Sequence, residues 1–398
     1  MREVKVVSAV RTPFGKLGGA LRDISAVDLA SMVVKGVMEK INLQPETVDE
    51  LYLGSAILGG ATSTAARQVL FKVGLPGETP SLTVDRACCS SLTAVGLGMK
   101  DILLGEADTV ISGGFESMSQ TPFLLPPDAR WGKRLGDITV VDCLVIRNPI
   151  INTPVATITG EKALEFGVGR EEQDKWALRS HQKYFEAFEA GKFNDELMPV
   201  EIPSKKGQAT IINKDESPRA DTSIEKLSQL KTVYGSPTVT AGNAPGLNDG
   251  ASAVIIMSAE KQKAMNLEAL GTVLSYAQAA GDPGASVYMP SQSIKKALQK
   301  AGLKVTDLKR IEINEAFAAM PLVSTKVLSD GDPKLLEHLR SITNVNGGAV
   351  AIGHPTGASG TRLLMTLIYE LRRLGGGIGA AAICGGYGQS DAVVVKVD

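Results

Sequence analysis

The chain has 398 residues, 43% of them hydrophobic and 21% charged, which is the make-up of an ordinary folded protein and argues against disorder. The length exceeds the usual size of a single core, so two or three domains are expected. With Lys+Arg 42 against Asp+Glu 43 the formal charge is -1, which leaves no global attraction to nucleic acid or to an anionic membrane.

The opening residues, Met1 to Val7, read directly into a strand, without an apolar signal core or an acid-free Arg/Ser-rich transit segment. No stretch approaches the ~20 continuous apolar residues of a membrane span. A cytoplasmic protein is the expectation. A helix over 26–41 leads through Thr47-Val48-Asp49-Glu50 to a strand over 51–54. A strand over 81–85 ends in Arg86-Ala87-Cys88-Cys89-Ser90-Ser91, and a helix over 92–104 precedes the strand that ends at Gly113-Gly114. The next region, to about residue 249, is richer in Pro and charge and holds one clear amphipathic helix, from Arg170 through Trp176, Tyr184 and Phe188. Such a loop-dominated insertion on a rigid scaffold commonly carries substrate binding. The first pattern then recurs. A helix over 292–301 leads through Thr306-Asp307-Leu308-Lys309 to the strand ending at Asn314, and a helix over 361–374 precedes the strand over 378–384, followed again by Gly385-Gly386. The order of elements predicts a duplicated, layered α/β fold with largely parallel pairing. The expected domains are an N-terminal half over 1–117 completed by 250–272, an inserted loop domain over 118–249, and a C-terminal half over 273–398.

Four cysteines and three histidines limit the chemistry. Their spacing resembles neither a disulfide framework nor a zinc site, so no metal is expected. Cys88 lies between a strand and the start of a helix, where backbone N–H groups and the helix dipole would stabilise a thiolate. Cys89 shares that setting, and position alone does not choose between them; a buried structural thiol is the ordinary alternative for either. His354 lies in a Gly-rich turn just before the second half's long helix, whereas His181 and His338 read as solvated surface groups. Cys384 and Asn314 each end a strand, where side chains reach a pocket at the sheet's carboxyl edge. The Gly-rich run over 241–250 comes with no GxGxxG or GxxxxGK[ST] element, which disfavours dinucleotide and nucleoside-triphosphate binding.

Together these segments resemble the thiolase family over nearly the whole chain. The likeness runs from Ser8-Ala9-Val10-Arg11-Thr12-Pro13-Phe14-Gly15 through Gly113-Gly114-Phe115-Glu116-Ser117-Met118-Ser119, Thr240-Ala241-Gly242-Asn243-Ala244 and Asn314-Glu315-Ala316-Phe317 to Gly353-His354-Pro355 and Cys384-Gly385-Gly386. It implies a five-layered α-β-α-β-α architecture. It also implies Cys88 as nucleophile, since the family's Cys-x-Ser pattern opens there with Cys89 as the variable position. His354 would activate Cys88 and, with a water held by Asn314, bind the thioester oxyanion. Cys384 would exchange a proton at the acetyl α-carbon, and the N–H groups of Cys88 and Gly386 would form a second oxyanion hole. Arg219, Ala241, Pro245, Phe317 and Ala156 would line the path of CoA and substrate. CoA and acyl-CoA would be substrates rather than bound cofactors, and the partner expected is a second or further copy of the chain, as homodimer or homotetramer.

Three departures concern the substrate pocket. Val155-Ala156-Thr157 stands where small-substrate members carry His-Met-Gly, Pro245 replaces a serine, and residues 281–290 replace a short Gly-x-Gly-Pro segment. They predict a taste for substrates longer or more branched than acetoacetyl-CoA, unless Tyr288 and Met289 fill the space. Two other readings stand beside the thiolase. A decarboxylating ketoacyl synthase needs no second cysteine and is disfavoured by Cys384, and a non-catalytic acyl-CoA-binding or scaffold protein would lack turnover. The apolar run over 138–146 fits either a core strand or a contact between copies.

Overall fold

The computed structural model describes residues 2–57, 63–145, 147–203 and 209–398. The N-terminal half contains β1 (Val4–Arg11), α1 (Ala26–Glu39), β2 (Glu50–Gly54), α2 (Ala65–Lys72), β3 (Ser81–Val84), α3 (Ser90–Leu104) and β4 (Thr109–Ser117). An insertion with three short antiparallel strand pairs and the helices α4 (Val155–Glu165) and α5 (Arg170–Glu189) leads to β5 (Asn248–Ser258). The C-terminal half contains β6 (Gly271–Ala280), α6 (Met289–Ala301), β7 (Leu308–Ile313), α7 (Ala319–Leu328), α8 (Pro333–Ile342), α9 (Ser359–Arg373), β8 (Gly377–Cys384) and β9 (Gln389–Val397). The repeat seen in the sequence is therefore real: α1–β2 matches α6–β7, and α3–β4 matches α9–β8.

Alternation along the strands builds the layers. Val254 and Ile256 of β5, Ala381 and Ile383 of β8, and Val393 and Val395 of β9 face one core together with α3 and α9. The intervening residues Ala253 and Ile255 face α1 and α2, while Ala380, Ala382 and Val394 face α6. Two outer helix layers, two sheet faces and a central helix pair make the five layers. Helix α3 is apolar enough by length and composition to cross a membrane, and its place between the sheets explains that apolarity.

The pairing differs from the expectation. The strands follow the order β7-β8-β9-β6-β1-β5-β4-β2-β3, and only β2–β3, β2–β4 and β7–β8 are parallel. The central pairs are antiparallel, because each half closes with a strand that returns beside its neighbour instead of crossing over; β8 and β9 are joined by the short turn 385–388. The two half-sheets meet at β1 and β6 over three residue pairs, Val4–Lys5–Val6 against Gly271–Thr272–Val273. This arrangement sets the starts of α3 and α9 beside the carboxyl ends of β7 and β8.

Candidate active site

Cys88 is held by a tight turn between β3 and α3. Ala87 has φ 49°, a left-handed conformation that costs a residue with a Cβ about 1–2 kcal/mol. The turn is fastened by Ala87 N–H to Asp85 Oδ1 at 3.0 Å, Ser90 Oγ to the Ala87 carbonyl at 2.5 Å, and Arg86 N–H to Ser90 Oγ at 2.9 Å. Beneath it Arg86 pairs with buried Asp391, which also accepts from Thr93 and Tyr276. The turn sends two adjacent thiols in different directions. Cys88 is partly exposed and lies 3.2 Å from His354 Nε2, whereas Cys89 is fully buried and points at the Ile383 carbonyl, 3.3 Å away. Only Cys88 meets the imidazole.

His354 is fixed from every side. Its N–H donates to Asn248 Oδ1 at 2.9 Å, and its Nδ1 lies 2.6 Å from Ser359 Oγ. That hydroxyl also donates to the Pro355 carbonyl at 2.9 Å, so its single proton is committed and it accepts from Nδ1–H. Nε2 is then the bare nitrogen, aimed at Cys88, with Asn314 Nδ2 also within 3.3 Å. Asn314 Oδ1 is buried without a partner among the described residues, which suits a group that holds a water. Cys384 is buried in an apolar cluster with Val350, Met320 and Val287, with Phe317 and Tyr288 packed against it. Gly386, at φ 60°, has open space where a Cβ would stand, and its N–H lies by the Cys384 sulfur.

Electrostatics correct one expectation. Burial works against a resting thiolate at the start of α3: it pushes the Cys88 thiol well above its ordinary range, and the neighbouring Cys384 and Glu116 push the same way. Burial also pushes His354 down to about 3, with the Arg362 guanidinium adding to the effect. The resting pair is a neutral thiol and a neutral imidazole, poised for proton transfer at the moment of attack. Burial pushes Cys384 up to about 11, against the N–H of Gly386, so at neutral pH it carries the proton that a carbanion requires.

Of the remaining predicted residues, Ala156 is buried, Pro245 and Phe317 are partly buried, and Arg219 and Ala241 are exposed. Asn243 ties the 240–245 turn to α5, donating to Asp174 at 2.9 Å, and its carbonyl accepts from Ala318 N–H. His181 is not a surface group: it is buried on α5, accepts from the Arg219 N–H at 3.2 Å, and is pushed down to about 4 by burial. His338 is exposed, as expected. Nothing in the local pattern around Ser359, Asn248 and Glu116 points to a role at the site, save that a glutamate stands inside the otherwise uncharged strand β4.

A cysteine paired with a bare imidazole nitrogen, with a second thiol near enough to act on the first, is the equipment of a cysteine-dependent acyl-transfer centre. The thiolase N-terminal domain model matches residues 4–260 and the C-terminal domain model residues 267–397. The chain belongs to the thiolase family. It is 42% identical to an acetyl-CoA acetyltransferase of Chromobacterium violaceum over 99% of each chain. It is 40% identical to a mitochondrial 3-ketoacyl-CoA thiolase of Pongo abelii, over 100% of this chain and 98% of the relative. Among solved structures, the acetyl-CoA acetyltransferase of Bacillus anthracis superposes with a TM-score of 0.94 at 36% identity, covering 100% of this chain and 99% of that one. Human mitochondrial 3-ketoacyl-CoA thiolase in complex with CoA superposes with a TM-score of 0.92 at 40% identity, covering 100% and 98%.

Proposed function

We propose that this thiolase works by ping-pong acyl transfer through Cys88, a reading carried by the Cys88–His354 contact at 3.2 Å. In the cleavage direction Nε2 takes the thiol proton as sulfur attacks the 3-keto carbon of a 3-ketoacyl-CoA. The bond between C2 and C3 breaks, and Cys384 protonates the departing carbanion to release acetyl-CoA. CoA then takes the shortened acyl group from Cys88. Condensation is the same path in reverse. His354 with a water on Asn314, and the N–H groups of Cys88 and Gly386, stabilise the two oxyanions. Loss of acetoacetyl-CoA in the presence of CoA is the first test; no turnover of any 3-ketoacyl-CoA would favour the scaffold reading.

The acyl pocket is where this chain departs from small-substrate members. Thr157 donates to the Tyr234 carbonyl at 2.5 Å, and Ala156 leaves little bulk on that wall. Tyr288 comes in instead, packing on Phe166 with ring centroids 5.5 Å apart and joining the cluster around Cys384. We infer that Tyr288 limits chain length. Tyr288→Ala should move the kcat/KM optimum towards longer or branched 3-ketoacyl-CoA esters, each methylene counting for roughly 1–3 kcal/mol. A sharp optimum at acetoacetyl-CoA that this substitution leaves unchanged would remove the inference.

The insertion supports a homo-oligomer. Of the run over 138–146, Ile138, Val140, Val141 and Val145 are all exposed in the single chain, which rules out a core strand; Ile146 lies outside the described residues. Phe123, Leu124, Trp131 and Leu135 of the same insertion are exposed as well, and strand pairing sets Leu124 against Val141, so this segment offers apolar side chains suited to a second copy under closed symmetry. Light scattering should report a dimer or tetramer, and a stable, active monomer would defeat this. All four cysteines are free, which suits a reducing compartment such as the cytoplasm.

A further inference from the structure

We propose that Glu116 is a positioning residue of the thiolase reaction, joining the half that carries Cys88 to the segment that carries His354 and so setting the separation of sulfur and imidazole. The proposal rests on the catalytic reading above and adds to it the element that holds the pair in register.

Glu116 is the next-to-last residue of β4, a strand buried along its whole length. A buried carboxylate is costly unless its oxygens are satisfied. Here two oxygens take five donors. Oε1 accepts from Ser55 Oγ at 3.2 Å and Ile57 N–H at 3.0 Å. Oε2 accepts from Ala56 N–H at 2.9 Å, Thr356 Oγ1 at 2.5 Å and Gly357 N–H at 2.9 Å. No Lys or Arg forms an ion pair with it among the described residues. Hydrogen bonds alone oppose the burial, which pushes the carboxyl above its ordinary range.

The placement of those donors gives the carboxylate its role. Ser55, Ala56 and Ile57 follow β2 in the N-terminal half, while Thr356 and Gly357 belong to the C-terminal half. Both halves therefore bond to one oxygen, Oε2. Thr356 and Gly357 also lie between His354 and Ser359, the residue that fixes the imidazole tautomer. The contact is close: a Cβ on Gly114 would collide with the Gly357 carbonyl, and one on Gly357 with the carbonyl of Phe115. Asn248 Oδ1 holds the His354 N–H from β5, and Glu315 accepts the Val350 N–H from within the C-terminal half. Glu116 is the charged member of this set that spans the halves. Displacing reacting groups by about 1 Å can slow a reaction about a hundredfold, so a clamp at this point acts on rate.

The test is Glu116→Gln. It preserves volume, but in either orientation of the amide an NH2 faces a backbone N–H, that of Ile57 on one side or those of Ala56 and Gly357 on the other. Two rate constants are read from single-exponential time courses, so that the folded fraction does not enter: acetylation of Cys88 by acetyl-CoA, and alkylation of Cys88 by iodoacetamide followed by peptide mass. Both should fall about tenfold to a hundredfold, with the KM for acetyl-CoA within about twofold of the parent. Should that variant not fold, Thr356→Val removes one donor and keeps the carboxylate; a fall of about threefold to tenfold, recovered in Thr356→Ser, is then expected. Parent-like rate constants in a folded Glu116→Gln or Thr356→Val protein, even with a lowered melting temperature, would overturn the proposal and leave Glu116 a folding strut. Alkylation reports the Cys88–His354 pair without CoA chemistry, so absence of thiolysis in the parent would defeat the catalytic reading separately.

Discussion

Replacing His354 with alanine is expected to slow acetylation of Cys88 by about two to four orders of magnitude, the range of general-base catalysis by a positioned side chain. Burial holds the Cys88 thiol well above its ordinary range, so without Nε2 little thiolate forms at neutral pH. The same electrostatics predict an unusual pH profile. An imidazole pushed down to about 3 stays an unprotonated base throughout the neutral and mildly acid range. The acid limb of kcat/KM for acetyl-CoA should therefore lie well below the ordinary histidine value, and be absent near pH 6.5. A limb at 6.5 assigned to His354 by its loss in the alanine variant would contradict the neutral pair. Acetylation unaffected by His354→Ala would remove the base.

Cys384→Ala should separate the two half-reactions. Acyl exchange between acetyl-CoA and Cys88 needs no carbanion and should be spared, losing less than about tenfold. Condensation and cleavage need a proton moved at the acetyl α-carbon and should fall by about two to four orders of magnitude. The thiol held at about 11 by burial is suited to protonating a strongly basic carbanion and is a poor resting base. Exchange of label between acetyl-CoA and CoA, measured beside acetoacetyl-CoA cleavage, makes the comparison. Equal losses in both would assign Cys384 a structural part instead.

Much of this was legible in the sequence, and the failures have physical causes. The repeated helix–strand units, the strand-end positions of Asn314 and Cys384, and the helix-start positions of Cys88 and His354 all follow from local periodicity, and the structure brings these four together. The direction of each thiol does not follow from periodicity. Cys88 and Cys89 share one local pattern, and only the left-handed Ala87 and the long-range approach of β8 turn one outward and the other towards Ile383. The thiolate expected at the start of α3 is opposed by the burial of Cys88 and by its neighbour Cys384, and the second half is invisible from residues 86–104. His181 is polar, which suggests a surface position, yet its helical spacing places it on a buried face. Ala177, His181 and Tyr184 stand at i, i+4 and i+7 on α5, the spacing of a buried face, and all three are buried. The roles of Glu116, Asn248 and Ser359 depend on bonds between residues far apart in the chain or across a turn, which spacing does not encode.

Acyl transfer through Cys88 is tested by treating the protein with acetyl-CoA, removing excess reagent and locating the acetyl group by peptide mass spectrometry. Acetylation is expected at Cys88, retained in Cys89→Ala and lost in Cys88→Ala, because only the Cys88 sulfur lies against the bare nitrogen of His354. Acetyl found on Cys89 or Cys384 with Cys88 unmodified would contradict it.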